Sequence, residues 1–143
     1  MSSDATVGFG LHDVARMMRR DFDSRAREQG LTRARWQVLW YLARSEGIYQ
    51  AALAELLGVA PISLTRQLDR LEEEGLVERR ADPQDRRRYR LYLTTQAQPA
   101  LDNLRQLAAQ TRERALAGLG EGDIEALQRM LNVMRANLCD KAG

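Results

Sequence analysis

The chain has 143 residues, 44% hydrophobic and 29% charged, enough for one domain with its own core, too little for two, and too apolar for a disordered segment. No apolar run approaches the ~18 residues of a membrane helix. The opening MSSDATVGFG has no basic flank or apolar stretch of a secretory signal, and a single cysteine, Cys139, excludes a disulfide framework within the chain. A cytoplasmic protein that does not touch membranes is expected. The net charge of +2 says little about partners, but its distribution says more. Every basic residue except Lys141 is arginine, and six fall together: Arg79, Arg80, Arg86, Arg87, Arg88 and Arg90. Such a cluster is either a solvated loop or a grip on phosphate and guanine, which the planar guanidinium fork suits.

In chain order, Leu11, Val14, Ala15, Met18, Phe22 and Ala26 follow helical spacing and predict a first helix from about Gly10 to Gln29, closed by Gly30. Thr32 is placed to cap a second helix carrying Trp36, Leu39, Trp40 and Ala43 on one face. A short third helix is expected over Gln50 to Leu57, with Leu53, Leu56 and Leu57 inward and Gly58 as its breaker. Pro61 suits the first position of a fourth helix, which is expected to reach Glu74 and stop at Gly75. Its apolar stripe is Leu64, Leu68 and Leu71, and its other face holds Ile62, Ser63, Arg66, Asp69, Arg70 and Glu73. The period then becomes alternating: Leu76 and Val77 start a strand, ADPQD at 81–85 is a turn signal, and Arg90 to Leu93 forms the returning strand. Thr94 or Thr95 is expected to cap a long fifth helix reaching Leu119, with Ala97, Leu101, Leu104, Ala108 and Ala115 as its stripe. After GEGD at 120–123, Ile124, Leu127, Leu131, Met134 and Leu138 make a heptad-like seam on a last helix.

Two helices joined by a tight turn and followed by a hairpin make a winged helix-turn-helix, so the predicted fold is mainly α with a small β-hairpin wing. A recognition helix keeps one face apolar for its scaffold and offers the other to the major groove, its N-terminal part reaching base edges. On the fourth helix Ile62 suits a thymine methyl, Ser63 a phosphate or base, Arg66 a guanine, and Arg70 a phosphate. The arginines of the hairpin tip suit a minor groove. The apolar stripes of the first, fifth and last helices exceed what one small lobe can cover, which predicts a homodimer.

The stretch LAELLGVAPISLTRQLDRLEEEGLVERRADPQDRRRYRLYLT, residues 53 to 94, resembles the MarR/SlyA family of transcriptional regulators. The R-x-L-D-x-L-E-x-x-G-L-V-x-R run and the D-R-R that follows carry the resemblance, which extends from about Leu31 to Leu101. It implies one domain over 1–143, with a DNA-binding lobe at about 31–93 and interlocking dimer helices at about 8–30 and 94–143. It further implies two winged lobes on a palindromic site of double-stranded DNA, most simply as a repressor. Pro61, Ser63 and Arg66 match recognition-helix positions, Arg87 the minor-groove arginine, Asp85 the aspartate that braces it, and Arg86 a second wing contact. Tyr49 departs from the family, where a serine or threonine often caps the third helix; it implies a different local arrangement and the same function.

Many members of that family release DNA when a small aromatic acid binds. The resemblance aligns Arg16, Trp36, Trp40 and Arg66 with that pocket. Indole walls and guanidinium groups suit an aromatic carboxylate; equally, both tryptophans suit the core, with Arg16 and Arg66 serving packing and DNA. No catalytic site, metal site or cofactor is expected. His12 and Cys139 lie near opposite ends of the chain, and no nucleophile–base pair, glycine-rich phosphate loop or metal-ligand spacing occurs. A pure protein-interaction module is the remaining alternative, and it leaves the arginine-rich tip without a purpose. Peroxide-sensing relatives carry a reactive cysteine in the first helix, where this chain has none.

Overall fold

A computed structural model describes residues 3–139, with side chains from 6 onward. Helices α1 (Ser3–Glu28), α2 (Arg33–Arg44), α3 (Gln50–Leu57) and α4 (Pro61–Glu73) precede an antiparallel hairpin of β1 (Val77–Asp82) and β2 (Asp85–Leu93). A 3-10 turn (Thr95–Ala97) leads into α5 (Gln98–Ala115), and α6 (Glu121–Leu138) follows. The fold is therefore mainly α with a two-stranded wing, as the sequence predicts.

The core forms where the apolar stripes meet. Leu39 and Leu42 of α2, Leu53 of α3, Leu64, Leu68 and Leu71 of α4, Val77 and Leu91 of the hairpin and Leu104 of α5 are all buried. Each buried leucine contributes about 1.5–3 kcal/mol, so this cluster fixes the helix-turn-helix against α5. The Thr32 hydroxyl accepts the Arg35 N–H at 3.3 Å, and Pro61 occupies the first turn of α4, where its missing N–H costs no bond. Gly58 and Gly75 end α3 and α4 at φ +67° and +77°, in the left-handed region that side chains disfavour.

Several local expectations are corrected. Helix α1 starts at Ser3 and runs through Gly8 and Gly10; a glycine weakens a helix by about 1 kcal/mol without stopping it. Leu56 is 53% exposed, and Ala54 is buried instead. At about 100° per residue Leu56 lies roughly 100° from the centre of the arc shared by Leu53, Ala54 and Leu57. Neither threonine caps α5: the 3-10 turn intervenes, Ala97 is the N-cap, and the Thr94 hydroxyl donates to the Gly75 carbonyl. Helix α5 stops at Ala115 and not at Leu119. Ala115 is exposed, while Leu107 and Thr111 take the buried positions. The strands also continue through the expected turn, pairing Ala81 with Tyr89 and, after a bulge, Asp82 with Asp85.

Asp21 ties α1 to α5. Its carboxylate accepts Arg25 Nε at 2.8 Å, Thr111 Oγ1 at 2.8 Å and Arg114 Nη1 at 2.5 Å. These donors, Arg25 foremost and then Thr111, lower the carboxyl from 3.8 to about 2. A depressed folded-state value stabilises fully above the unfolded one and is lost as the pH falls through the folded one. The stability advantage of the wild type over Asp21→Asn is therefore expected to shrink by up to about 2 kcal/mol between about pH 5 and pH 2. Urea unfolding across that window checks it; an advantage that does not change with pH would remove Asp21 as the tie.

Helix α6 packs differently. None of its described residues is buried; Ile124, Leu127, Leu131 and Met134 are half-buried, and Leu138 is 81% exposed. On α1, Val7, Phe9, Val14 and Met17 are likewise exposed.

Candidate nucleic-acid interface

Helix α4 divides as its sequence requires. Leu64, Leu68 and Leu71 are buried, while Pro61, Ile62, Ser63, Arg66 and Arg70 are exposed. Two bonds set its N-terminal half against α3: Gln50 Nε2 donates to Thr65 Oγ1 at 3.1 Å, and that hydroxyl donates to the Pro61 carbonyl at 3.0 Å. Arg66 forms no salt bridge among the described residues, so its guanidinium is available to a partner. The orphan N–H groups of a helix start add to the attraction for anions.

The wing sorts its arginines into two kinds. Arg79 reaches back to α4, bonding Asp69 at 2.7 Å and Glu72 at 3.0 Å, and its guanidinium holds the Glu72 carboxyl below its ordinary range. Arg80 pairs with Glu78 at 3.0 Å and lies 4.1 Å over the Tyr92 ring. Arg90 donates to the Gly47 carbonyl at 3.0 Å and to the Tyr49 hydroxyl at 2.8 Å. Arg88 lies 3.5 Å over the Tyr49 ring. Arg86 and Arg87 remain exposed at the tip. The Arg87 side chain is 93% exposed, and Asp85 braces its base, accepting the Arg87 backbone N–H at 3.1 Å and Nε at 3.4 Å.

Tyr49 organises this wing and was not singled out from sequence for that role. It precedes α3 without capping it by a side-chain bond, and its hydroxyl donates to Asp82 at 2.5 Å. Asp82 is buried, and the Tyr49 hydroxyl, with the Gln84 N–H, holds its carboxyl below the ordinary range. A backbone bridge between Tyr49 and Arg90 adds a third edge to the hairpin. The sequence carries one signal of this: a tyrosine where the family often has a short capping side chain.

The wing and α4 flank one cleft of about 590 Å³, with Pro61, Leu64 and Thr65 on one wall, Arg79, Arg87 and Arg88 on the other, and Tyr49 and Gln50 also lining it. Of the residues predicted to meet DNA, Pro61 and Arg87 line this cleft, whereas Ile62, Ser63, Arg66, Arg70, Asp85 and Arg86 do not.

The structure places the four residues aligned with an effector pocket in different settings. Trp36 is buried, edge-on to Phe22 at 4.6 Å, and its indole N–H goes to Asp23 at 2.8 Å. Trp40 is half-buried against the same core. Arg16 lines a cleft between α1 and the start of α2, and neither tryptophan nor Arg66 borders it.

Comparison with known proteins gives a consistent answer. The profile described as "MarR family" matches residues 31–89. The chain is 37% identical to the transcriptional regulator PA3341, covering 92% of this chain and 97% of that one at a TM-score of 0.75. It is 27% identical to wild-type MarR from E. coli, covering 89% and 94% at a TM-score of 0.76. A MarR transcriptional regulator from Methanosarcina mazei Go1 shares the fold at a TM-score of 0.77 and 22% identity, covering 93% and 96%. The chain belongs to the MarR family of transcriptional regulators.

Proposed function

We propose that this protein represses transcription as a homodimer on a palindromic operator, with Pro61, Ile62, Ser63, Arg66 and Arg70 of α4 in the major groove and Arg86 and Arg87, braced by Asp85, in the adjacent minor groove. The observation that carries this is the division of the wing: four arginines are held by protein partners, while Arg86 and Arg87 stay exposed at the tip. No helix among the described residues is long and apolar enough to cross a membrane, and we place the protein in the cytoplasm with its DNA. The dimer rests on the exposed apolar residues of α6 (Met130, Val133 and Leu138) and of α1, since a helix with no fully buried residue in its own protomer gains much of its stability from a partner. Two-fold symmetry would set the recognition helices about 34–36 Å apart. Sedimentation is expected to give a dimer at micromolar concentration, and DNA fragments retained by the protein are expected to share an inverted repeat. A stable monomer, or binding to random duplex that ignores salt, would overturn the proposal.

Release by a small aromatic acid belongs to the same proposal, supported by the family resemblance. Of the aligned residues, Arg16, Trp40 and Arg66 keep open surface, whereas Trp36 is closed. Salicylate is expected to quench fluorescence through Trp40 and to weaken operator binding roughly 5- to 150-fold, the usual range of such coupling. Trp40→Phe should remove the quench. Quenching without release would leave a pocket and no switch; no response in either signal would assign both tryptophans to the core alone.

A further inference from the structure

Helix α1 is seated on its own protomer only towards its C-terminal end. Residues 6–17 are all exposed, and among the described residues Phe22 and Ala26 are the only apolar ones of α1 that are buried. So narrow an apolar seat holds a helix without fixing its angle, because apolar attraction has no direction. Hydrogen bonds do have direction, and α1 makes two sets of them from neighbouring carboxylates. At about 100° per residue, Asp21 and Asp23 point to nearly opposite sides of the helix. Asp21 accepts from Thr111 and Arg114 of α5, so its bonds stay among the helices assigned to the dimer. Asp23 crosses to the DNA-binding lobe.

The Asp23 carboxylate is buried. Its Oδ1 accepts the Trp36 indole N–H at 2.8 Å, and its Oδ2 accepts Arg33 Nε at 2.7 Å and Nη2 as well. Arg33 and Trp36 stand three residues apart in the first turn of α2, on neighbouring positions of one face. A single carboxylate that meets both therefore sets the rotation of α2 about its axis as well as its distance from α1. Phe22 closes the contact, edge-on to the Trp36 ring at 4.6 Å. Bonds from a guanidinium to a carboxylate are among the stronger ones, and the start of a helix favours a negative charge beside it.

The same turn of α2 is joined to the recognition helix. Arg35 donates to Glu74 at 2.9 Å, at the C-terminal end of α4. The DNA-reading residues cluster at the other end of that 13-residue helix, ~20 Å away at about 1.5 Å per residue. On a lever of that length a tilt of ~10° is a displacement of ~3.5 Å, about the rise of one base pair. A small error of angle at Asp23 thus becomes a whole step of misregister at the groove.

We propose that Asp23 is a positioning residue for DNA binding: held by Arg33 and Trp36, it locks the angle at which the DNA-binding lobe stands on α1, and so sets the separation of the two recognition helices. The effect on that separation rests on the dimer and palindrome proposed above; the locking of the angle within one chain does not.

The test reads the angle and its use separately. Nitroxide labels are attached at Arg19→Cys on α1 and Glu73→Cys on α4, both exposed, in a Cys139→Ser background. The labelled chain is diluted into unlabelled protein, so that pulsed dipolar spectroscopy without DNA reads distances within one chain. The parent is expected to give one narrow distribution, and Asp23→Asn a broader one or one displaced by ~3 Å or more. Affinity of Asp23→Asn for the inverted repeat recovered by selection is expected to fall roughly tenfold, with affinity for a single half-site unchanged, because Asp23 makes no bond inside the lobe's own core. Arg33→Gln is the milder variant should Asp23→Asn fold poorly; it removes the guanidinium and leaves the indole bond in place. A distance distribution identical to the parent in both variants overturns the proposal, even where the melting temperature falls. So does an equal loss on half-site and inverted repeat, which places the damage inside the lobe. A changed distribution with unchanged affinity for the inverted repeat also overturns it. A wild type that binds the inverted repeat no better than one half-site removes the palindrome reading instead, and the distances within one chain still decide whether Asp23 is the lock.

Discussion

Arg66→Ala is expected to flatten the preference of the protein for its operator over scrambled duplex by ~1–3 kcal/mol, roughly 5- to 150-fold. Arg66 lies on the exposed face of α4, one turn beyond Ile62, and its guanidinium has no carboxylate partner among the described residues. A guanidinium so placed meets the O6 and N7 of a guanine with two bonds, and losing both removes sequence information as well as affinity. Arg87→Ala is expected to act differently. That side chain stands at the wing tip, 93% exposed, where a narrow and strongly negative minor groove would receive it. Its loss should weaken binding to every duplex and reduce the preference for A·T-rich flanks, leaving the preference at guanine contacts intact. Arg80→Ala is the control: its charge is already engaged by Glu78 and the Tyr92 ring, so it should leave operator affinity nearly unchanged. Binding measured at ~150 mM salt, where exposed charges are screened as in a cell, separates the three. Operator binding by Arg66→Ala and Arg87→Ala equal to the wild type would remove both residues from the interface.

The recognition helix was legible because one physical demand writes itself into one period. Leu64, Leu68 and Leu71 must meet the core, so the remaining positions of α4 are the ones free to carry Ile62, Ser63 and Arg66. The hairpin was legible for a similar reason, since alternation and ADPQD mark strands and a turn. What the sequence did not disclose is the division of labour among the wing arginines. The charge cluster reads as a uniform patch, whereas Arg79 belongs to Glu72 and Asp69 across a helix–strand junction and Arg90 to Tyr49 across 41 residues of chain. Such pairings depend on strand register and on how α3 docks, and local pattern contains neither. Trp36 illustrates the same limit. An indole on an apolar stripe suits a ligand wall or a core equally well until the buried Asp23 that accepts its N–H is in view. Leu56 lies off the arc that α3 buries, although its spacing fits a stripe, whereas Ala115 keeps the phase of its stripe and is exposed because it is the last residue of α5, beyond the buried Thr111.

The wing brace gives the second large effect. Tyr49→Phe keeps the ring under Arg88 and Arg90, at 3.5 and 4.2 Å, and removes only the hydroxyl. That hydroxyl gives its proton to Asp82 and accepts from Arg90, so its loss leaves a buried carboxylate with the Gln84 N–H at 3.1 Å and an Arg90 contact of 3.9 Å. A buried charged acceptor deprived of a donor shifts until it finds another, and here the shift would fall on the turn of the wing, just before Asp85 and Arg87. Operator affinity is therefore expected to drop roughly tenfold in Tyr49→Phe, although Tyr49 itself need not touch DNA. Tyr49→Ala should cost more, because it also removes the ring on which two arginines rest. Placing Tyr49→Phe in an Arg87→Ala background separates positioning from mere stability. If Tyr49 works by aiming the tip, most of its effect on DNA binding should vanish once Arg87 is gone, a coupling read directly from the double-mutant cycle. Additive losses, or a lower melting temperature with unchanged affinity for operator, would make the hydroxyl a stabilising contact that leaves the aim of the wing untouched.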